Sequence, residues 1–449
     1  MNQNNNFLQL FNYIKEDRLR DTSVSSNRGI LYASESDKGR VINSAAFRRL
    51  QQKAQVFPLD PNAAVRTRLT HSIEVSQVGR FIAQQVIKHF NCGNQFNYDQ
   101  ATSFVNVVET ACLLHDIGNP PFGHLGEAAI REWFGSGMLP PLDDFTNYDG
   151  NPQGFRLISF LSGLDNFGLN LTCTQLLSIL KYPWCNEDRP KHAKKIGLFS
   201  TDKSSYHKAC EKLSWMPGIK FPFVYLMEAA DDIAYSMSDL EDGLEKKIVS
   251  IEDIKNEFCH QSQEIFNKNL FDSTVVEPFI NFKTHVISRA VTEAADGFCQ
   301  HLEKILKTSD PEEKIEILDR KNGIGGLLKE INGFARKRIY SDVSAERVEL
   351  AGRSVISGLL NHFSILLKLD ETDFNALINE KSNIIKTKQL DFHIRLIRRL
   401  PEAYRKKYSV IDRGDESKRR AHLIVDFLSG MTDDFALETY QILQGIRIR

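Results

Sequence analysis

Apolar residues recur along this chain with a helical period; alternation of the strand type is rare. From residue 68 to 90, Ile73, Val78, Ile82 and Val86 fall on one stripe that points at a core. A second apolar run over 101–115 closes on the adjacent pair His115 and Asp116. The turn after it contains Gly118, Pro120 and Pro121, which do not continue a helix, and a new helix opens near His124. A third run over 225–239 is apolar yet carries Asp231, Tyr235 and Asp239 at intervals of four, so these three share one face. Acids on an apolar helix are costly to bury and call for a reason.

The rest of the pattern is coarser. Residues 7–14 read as a short amphipathic segment and the Ser-rich 21–27 as an arm or loop. Residues 37–55 predict a helix with Ala46, Phe47 and Leu50 on one side and Arg48 and Arg49 on the other; 58–64 is a loop, and the polar 91–99 separates two helices. The Gly-, Pro- and Asp-rich stretch 135–152 predicts no regular element. Helical runs follow near 155–164 and 174–180, then a loop over 182–190 and a basic group from His192 to Lys195. A segment this long inside a compact domain is expected to cover a substrate. Residues 250–310 and 323–378 again read as amphipathic helices, divided at 310–326 by charge and glycine. The expected class is all-α. A helical core spans 1–310, with an N-terminal arm and an insertion at about 135–221, and a C-terminal helical region over 311–449 completes a pocket.

Composition narrows the function. Of 449 residues, 41% are hydrophobic and 26% charged, as in ordinary globular proteins. No uninterrupted apolar stretch approaches the roughly 18 residues of a membrane span, and Met1-Asn-Gln-Asn-Asn-Asn is no signal peptide; a cytoplasmic protein with no membrane partner is expected. A net charge of -1 excludes a surface tuned throughout to nucleic acid. The seven cysteines, at 92, 112, 173, 185, 210, 259 and 299, form no CxxC pair and are expected to be reduced thiols. Residues 381–420 hold thirteen Lys and Arg against five Asp and Glu, interleaved with Phe392, Tyr404 and Tyr408. A solvated helical face is the commoner meaning of such a run. The sharper one is a patch for nucleotide phosphates or single-stranded DNA.

The His115-Asp116 pair offers a neutral nitrogen and a charged oxygen, donors that suit Mn, Fe, Co, Ni or Mg better than thiolate-bound zinc. Two side chains do not hold a catalytic metal. His71 and Asp231 supply the missing pair, Asp231 being preferred to Asp232 because it keeps register with Tyr235 and Asp239. The order His71, His115-Asp116, Asp231 resembles the ligand pattern of the HD phosphohydrolase superfamily. The resemblance extends further: Arg40-Val-Ile-Asn-Ser-Ala-Ala-Phe, Gln55-Val-Phe-Pro-Leu, Arg66-Thr-Arg-Leu-Thr-His71-Ser, Phe122-Gly-His124-Leu-Gly-Glu127, Asp149-Gly-Asn151-Pro-Gln153 and Glu228-Ala-Ala-Asp231-Asp232-Ile-Ala-Tyr235 together are similar to the bacterial deoxyguanosinetriphosphate triphosphohydrolases.

That resemblance implies metal-dependent hydrolysis of dGTP to deoxyguanosine and tripolyphosphate, with Mn2+ or Mg2+, or else Co2+, and assembly as a homohexamer. It implies that His124 acts in acid/base or nucleophilic chemistry with Glu127 orienting its ring, and that Arg68, three residues before His71, contacts substrate phosphate. Lys194 or Lys195 adds charge against the triphosphate. By the same likeness Tyr235 packs on the sugar, Asp239 accepts from a 3′-hydroxyl and Gln55 holds the sugar edge. Guanine asks for a carboxylate and an arginine. Glu349 and one of Arg395, Arg398 or Arg399 are the candidates, and spacing does not choose among the arginines. The competing enzyme readings are a broad-specificity dNTP triphosphohydrolase or another HD nucleotidase. From another class comes a nucleotide-sensing or ssDNA-binding regulator on an HD scaffold.

Overall fold

The stripe of apolar positions after Arg66 becomes the central helix Arg68–Phe90, hereafter the His71 helix. In the computed structural model, residues 2–22, 28–90, 97–137, 142–410 and 413–446 are described, so the arm residues 23–27, the link 91–96 and Cys92 lie outside. Among the described residues every regular element is helical, and two isolated bridges, Arg18 with Thr172 and Ala54 with Thr67, are the whole of the β structure. The chain is all-α.

The His71 helix buries Val75, Val78, Ile82, Ala83 and Val86, whereas Ile73 is exposed; the true stripe runs through Val75. It packs against Tyr98–Leu114, the His115 helix, and against Pro222–Glu245, the Asp231 helix. Asn97 starts the His115 helix with a capping box, its side chain accepting from Gln100 N while the Gln100 side chain accepts from Asn97 N. Pro222 at the first turn starts the Asp231 helix, where its missing N–H costs nothing.

Two apolar clusters divide the molecule. The larger takes residues from Phe7 to Ala345; the smaller is centred on Val343–Leu367 and Glu416–Ser429 and also takes Phe122, Trp133 and Phe145. The stretch 310–326 does not part them, because Ile317, Leu318 and Ile324 are buried in the larger cluster. By packing, the seam lies at the helix Val343–Leu367. That helix alone among those described is long and apolar enough to cross a membrane, but Val355, Ile356, Leu359, Leu360, Phe363 and Leu366 are buried in the smaller cluster.

Other expectations shift in detail. The predicted helix 37–55 is three pieces, Ile30–Ile42, Ala45–Arg49 and a single turn Leu50–Gln52, after which Ala54 bridges to Thr67. The stretch 135–152, expected to be irregular, contains Asp143–Thr146 and the start of Gly150–Arg156, which Asp149 caps by accepting from Asn151 N. The insertion is not a separate lid. Leu171, Leu176, Leu177, Tyr206 and Ala209 belong to the larger core, and the helix Lys203–Leu213 was not legible in the pattern.

Candidate active site

Three helices deliver His71, His115 and Asp231 to one point, and the metal-binding atoms of these three lie within 4.8 Å of one another. His71 Nε2 is 3.4 Å and His115 Nε2 3.5 Å from Asp231 Oδ1. His115 lies at the end of its helix, where Nδ1 donates to the free carbonyl of Cys112 at 2.7 Å. This fixes the tautomer and leaves Nε2 as a bare acceptor with no hydrogen-bond partner, although it is buried. A buried, unpartnered imidazole nitrogen facing a carboxylate is what a divalent cation with N and O ligands needs. Asp116 Oδ2 stands 3.6 Å from His115 Nε2, while Oδ1 accepts from Asn119 Nδ2. Asp116 thus borders the three-residue group and is held by neighbours of its own.

Two cations neutralise the acids. Arg68 Nη1 reaches Asp116 Oδ2 at 2.5 Å, and Lys181 Nζ reaches Asp231 Oδ2 at 2.9 Å. Burial disfavours charge on both carboxylates, but Arg68 and His115 hold Asp116, and Lys181, His115 and His71 hold Asp231, well below the usual range. Burial also pulls on His71, yet the hydrogen bond and charge of Asp231 raise it, whereas burial prevails at His115 and lowers it. Asp232 faces away. It pairs with Arg320, and burial pushes its carboxyl up to about 6. Lys181, Lys194, Lys220, Asp231, Asp232 and Arg320 line a cavity of about 560 Å³ that reaches the candidate metal site from the Asp231 side.

Lys181 was not anticipated. The cation expected there was Lys194 or Lys195; Lys194 lines the cavity, whereas Lys195 bonds Asp149 at 2.8 Å while its backbone carbonyl accepts from the Trp184 indole. Lys181 ends an apolar helical run just before Tyr182, Pro183 and Trp184, and its register gives no hint that the chain turns it toward Asp231.

His124 stands on the other side of the turn. Its ring is 84% exposed, and Nδ1 pairs with Glu127 Oε2 at 3.0 Å. Glu127 is buried and its other oxygen accepts from Gly150 N at 2.8 Å, so the carboxylate is fixed and the imidazole open to an incoming group. Gly123 between Arg68 and His124 has φ +55, and a Cβ there would come within 2.7 Å of Arg68 Nη2. A side chain there would push the guanidinium off this turn and strain the left-handed backbone, so glycine suits the position. Arg68 Nε is buried without a partner.

Tyr235 and Asp239 share one wall, as their spacing requires. Tyr340, just past the helix Gly323–Arg338, places its hydroxyl between them, donating to Asp239 Oδ2 and sharing a hydrogen bond with the Tyr235 hydroxyl. Asp239 is fully buried, its Oδ1 has no partner, and burial, opposed by the Tyr340 bond, pushes its carboxyl up to about 7. Tyr340 went unnoticed in the sequence because it falls inside a stretch read as helix. Gln55 Oε1 is likewise buried and unpartnered. Glu349 lies close enough to His124 to feel its charge, although burial is the larger influence and raises its carboxyl. Arg398 pairs with Glu380, and Arg395 and Arg399 form no ion pair among the described residues. Much of the basic run 381–420 is committed internally. Lys407 donates to the carbonyls of Phe160 and Asp165, Arg413 pairs with Asp202, and Arg420 with Glu416.

The chain is similar to known proteins along most of its length. Residues 68–140 match the HD domain, and 381–442 match the phosphohydrolase-associated domain. The chain is 35% identical to the deoxyguanosinetriphosphate triphosphohydrolase of Enterobacter sp. (strain 638), over 94% of this chain and 95% of that protein. It is 34% identical to the proteins of that name from Salmonella paratyphi A and Klebsiella pneumoniae subsp. pneumoniae, with 94% of this chain covered and 95% and 96% of theirs.

Proposed function

Since this chain belongs to the deoxyguanosinetriphosphate triphosphohydrolase family of HD-domain hydrolases, we propose that it hydrolyses dGTP to deoxyguanosine and tripolyphosphate with a divalent cation, Mn2+ or Mg2+. The observation that carries this reading is the convergence of His71, His115 and Asp231, with one bare imidazole nitrogen, beside two cations placed for phosphate.

His71, His115 and Asp231, with Asp116 at the edge, hold the metal, which supplies Lewis-acid polarisation of a phosphoryl oxygen and lowers the pKa of water when bound. Arg68 and Lys181, the two cations beside the acids, would take the triphosphate charge. Water adds at the α-phosphorus, the bond to the 5′-oxygen breaks, and a proton must reach that leaving oxygen. His124 is the group to move it, with Glu127 steadying the imidazolium. Tyr235, Asp239 and Gln55 take the deoxyribose, and Glu349 from the C-terminal region faces the guanine edge. We assign Lys195 to the support of Asp149.

The test offers each of the four dNTPs with Mn2+ or Mg2+ and measures nucleoside and tripolyphosphate. Fastest release from dGTP is expected. Orthophosphate as the sole product overturns the triphosphohydrolase reading, and equal turnover of all four removes the preference for guanine.

A further inference from the structure

The turn that leads into His124 is not held by its sequence neighbours alone. Phe122 has φ 60°, a left-handed conformation rarely adopted by a bulky residue, and starts the helix Gly123–Gly135 with no side-chain cap of its own. Its N–H donates to Asp433 Oδ1 at 2.9 Å. The other oxygen, Oδ2, accepts from Ala54 N, also at 2.9 Å. Asp433 begins the helix Asp433–Leu443, is 3% exposed, and lies within the phosphohydrolase-associated match. Ala54 in turn bridges to Thr67, and Lys53 O accepts from Arg68 N at 2.8 Å. One carboxylate therefore ties the segment that sets Arg68 to the turn that sets His124.

A second tie runs beside it. Lys53 is buried, and its Nζ donates to Asn119 O at 2.5 Å and to Ser429 O at 2.7 Å. Asn119 bonds the Asp116 carboxylate. From the third side Gly352 lets the Phe122 ring approach so closely that a Cβ would come within 2.4 Å of Cγ. The turn 119–123 is thus gripped by three points distant in sequence.

We propose that Asp433 is a positioning residue for His124, and that Lys53 does the same for the Asn119 end of the turn. This rests on the acid/base reading of His124. With the carboxylate gone, the N–H groups of Phe122 and Ala54 lose their buried acceptor, and the left-handed Phe122 relaxes, since such conformations persist only where surroundings impose them. Displacement of a reacting group by about 1 Å costs on the order of a hundredfold in rate.

The full-length protein tests this with Asp433→Asn, Asp433→Ala, Lys53→Met and the exposed neighbour Asp434→Asn. Asp433→Asn keeps the shape and one acceptor oxygen. A kcat loss of about tenfold is expected for it and about a hundredfold for Asp433→Ala, with KM within about threefold, Lys53→Met falling between and Asp434→Asn near wild type. Hydrogen exchange should quicken in the peptide over 119–127 and stay slow in the His71 and Asp231 helices. Unchanged kcat, a loss confined to KM, or exchange that rises equally in all three regions overturns the proposal. If the wild-type protein releases no tripolyphosphate, the proposed function fails, while exchange at 119–127 still decides whether Asp433 holds the turn.

Discussion

The two halves of the site are built in opposite ways. His71 and Asp231 stand within long helices and His115 caps the end of a third, and both imidazoles are 1% exposed. His124 stands in the first turn of the helix Gly123–Gly135, 84% exposed; Glu127, itself held by Gly150 N, bonds its ring, and Asp433 and Lys53 hold the preceding turn through Phe122 and Asn119. On the proposed function, the contrast separates what must not move from what must meet a substrate. On the proposed roles, a ligand group draws its rigidity from packed helices, whereas a group that shuttles protons needs exposure and so borrows its rigidity from elsewhere.

The comparison can be broken most forcibly at the helical half. Asp231→Asn or His115→Ala should abolish metal uptake measured by calorimetry and lower turnover by on the order of a thousandfold or more, as several kcal/mol of lost charge stabilisation implies. Retention of both would show that the three groups are not ligands. At the turn, His124→Ala should leave metal uptake intact while kcat drops by about 10² to 10⁴, the range of acid/base catalysis. Loss of metal affinity in that variant would erase the distinction between the halves.

Smaller effects sharpen it. Lys181→Met leaves Asp231 without its nearest cation, so the metal-free protein should lose roughly 1–3 kcal/mol, and added Mn2+ should restore most of the melting temperature. No difference between the metal-free and metal-loaded shifts would detach Lys181 from the ligand group. Asp239 gives a pH dependence. Its folded-state pKa of about 7 lies above that of the unfolded chain, so its contribution to stability is lost as pH rises from about 4 to 7 and stays lost above. Asp239→Asn should therefore melt higher than wild type at pH 8, by at most about 4 kcal/mol of stability, with the advantage gone near pH 4. A lower melting temperature at pH 8 would sink this account.

What could be read from the chain follows the same division. Helical spacing brought out the His71, His115 and Asp231 helices and put Asp231, Tyr235 and Asp239 on one face, because periodicity is a local property of sequence. Lys181, Tyr340 and Asp433 were invisible to it. Each acts on a partner 50 residues or more away, Lys181 on Asp231, Tyr340 on Asp239 and Asp433 on Phe122, through contacts that only the packed core creates. Lys195 shows the converse: a basic cluster marked the right neighbourhood but not which lysine would turn inward. The helix Gly150–Arg156 was hidden because Gly and Pro in its first turn read as loop, although Asp149 caps it and Pro152 falls where a helix tolerates proline.

The hydroxyl of Tyr340 already bonded to Asp239 has a thermodynamic corollary. A ligand hydroxyl that takes Oδ2 swaps one O–H···O bond for another of the same kind, a nearly isoenergetic trade, whereas one that reaches the unpartnered Oδ1 gains a bond. Attraction at Oδ2 thus adds little to affinity, and what the wall discriminates there is the bulk of whatever takes the phenol's seat.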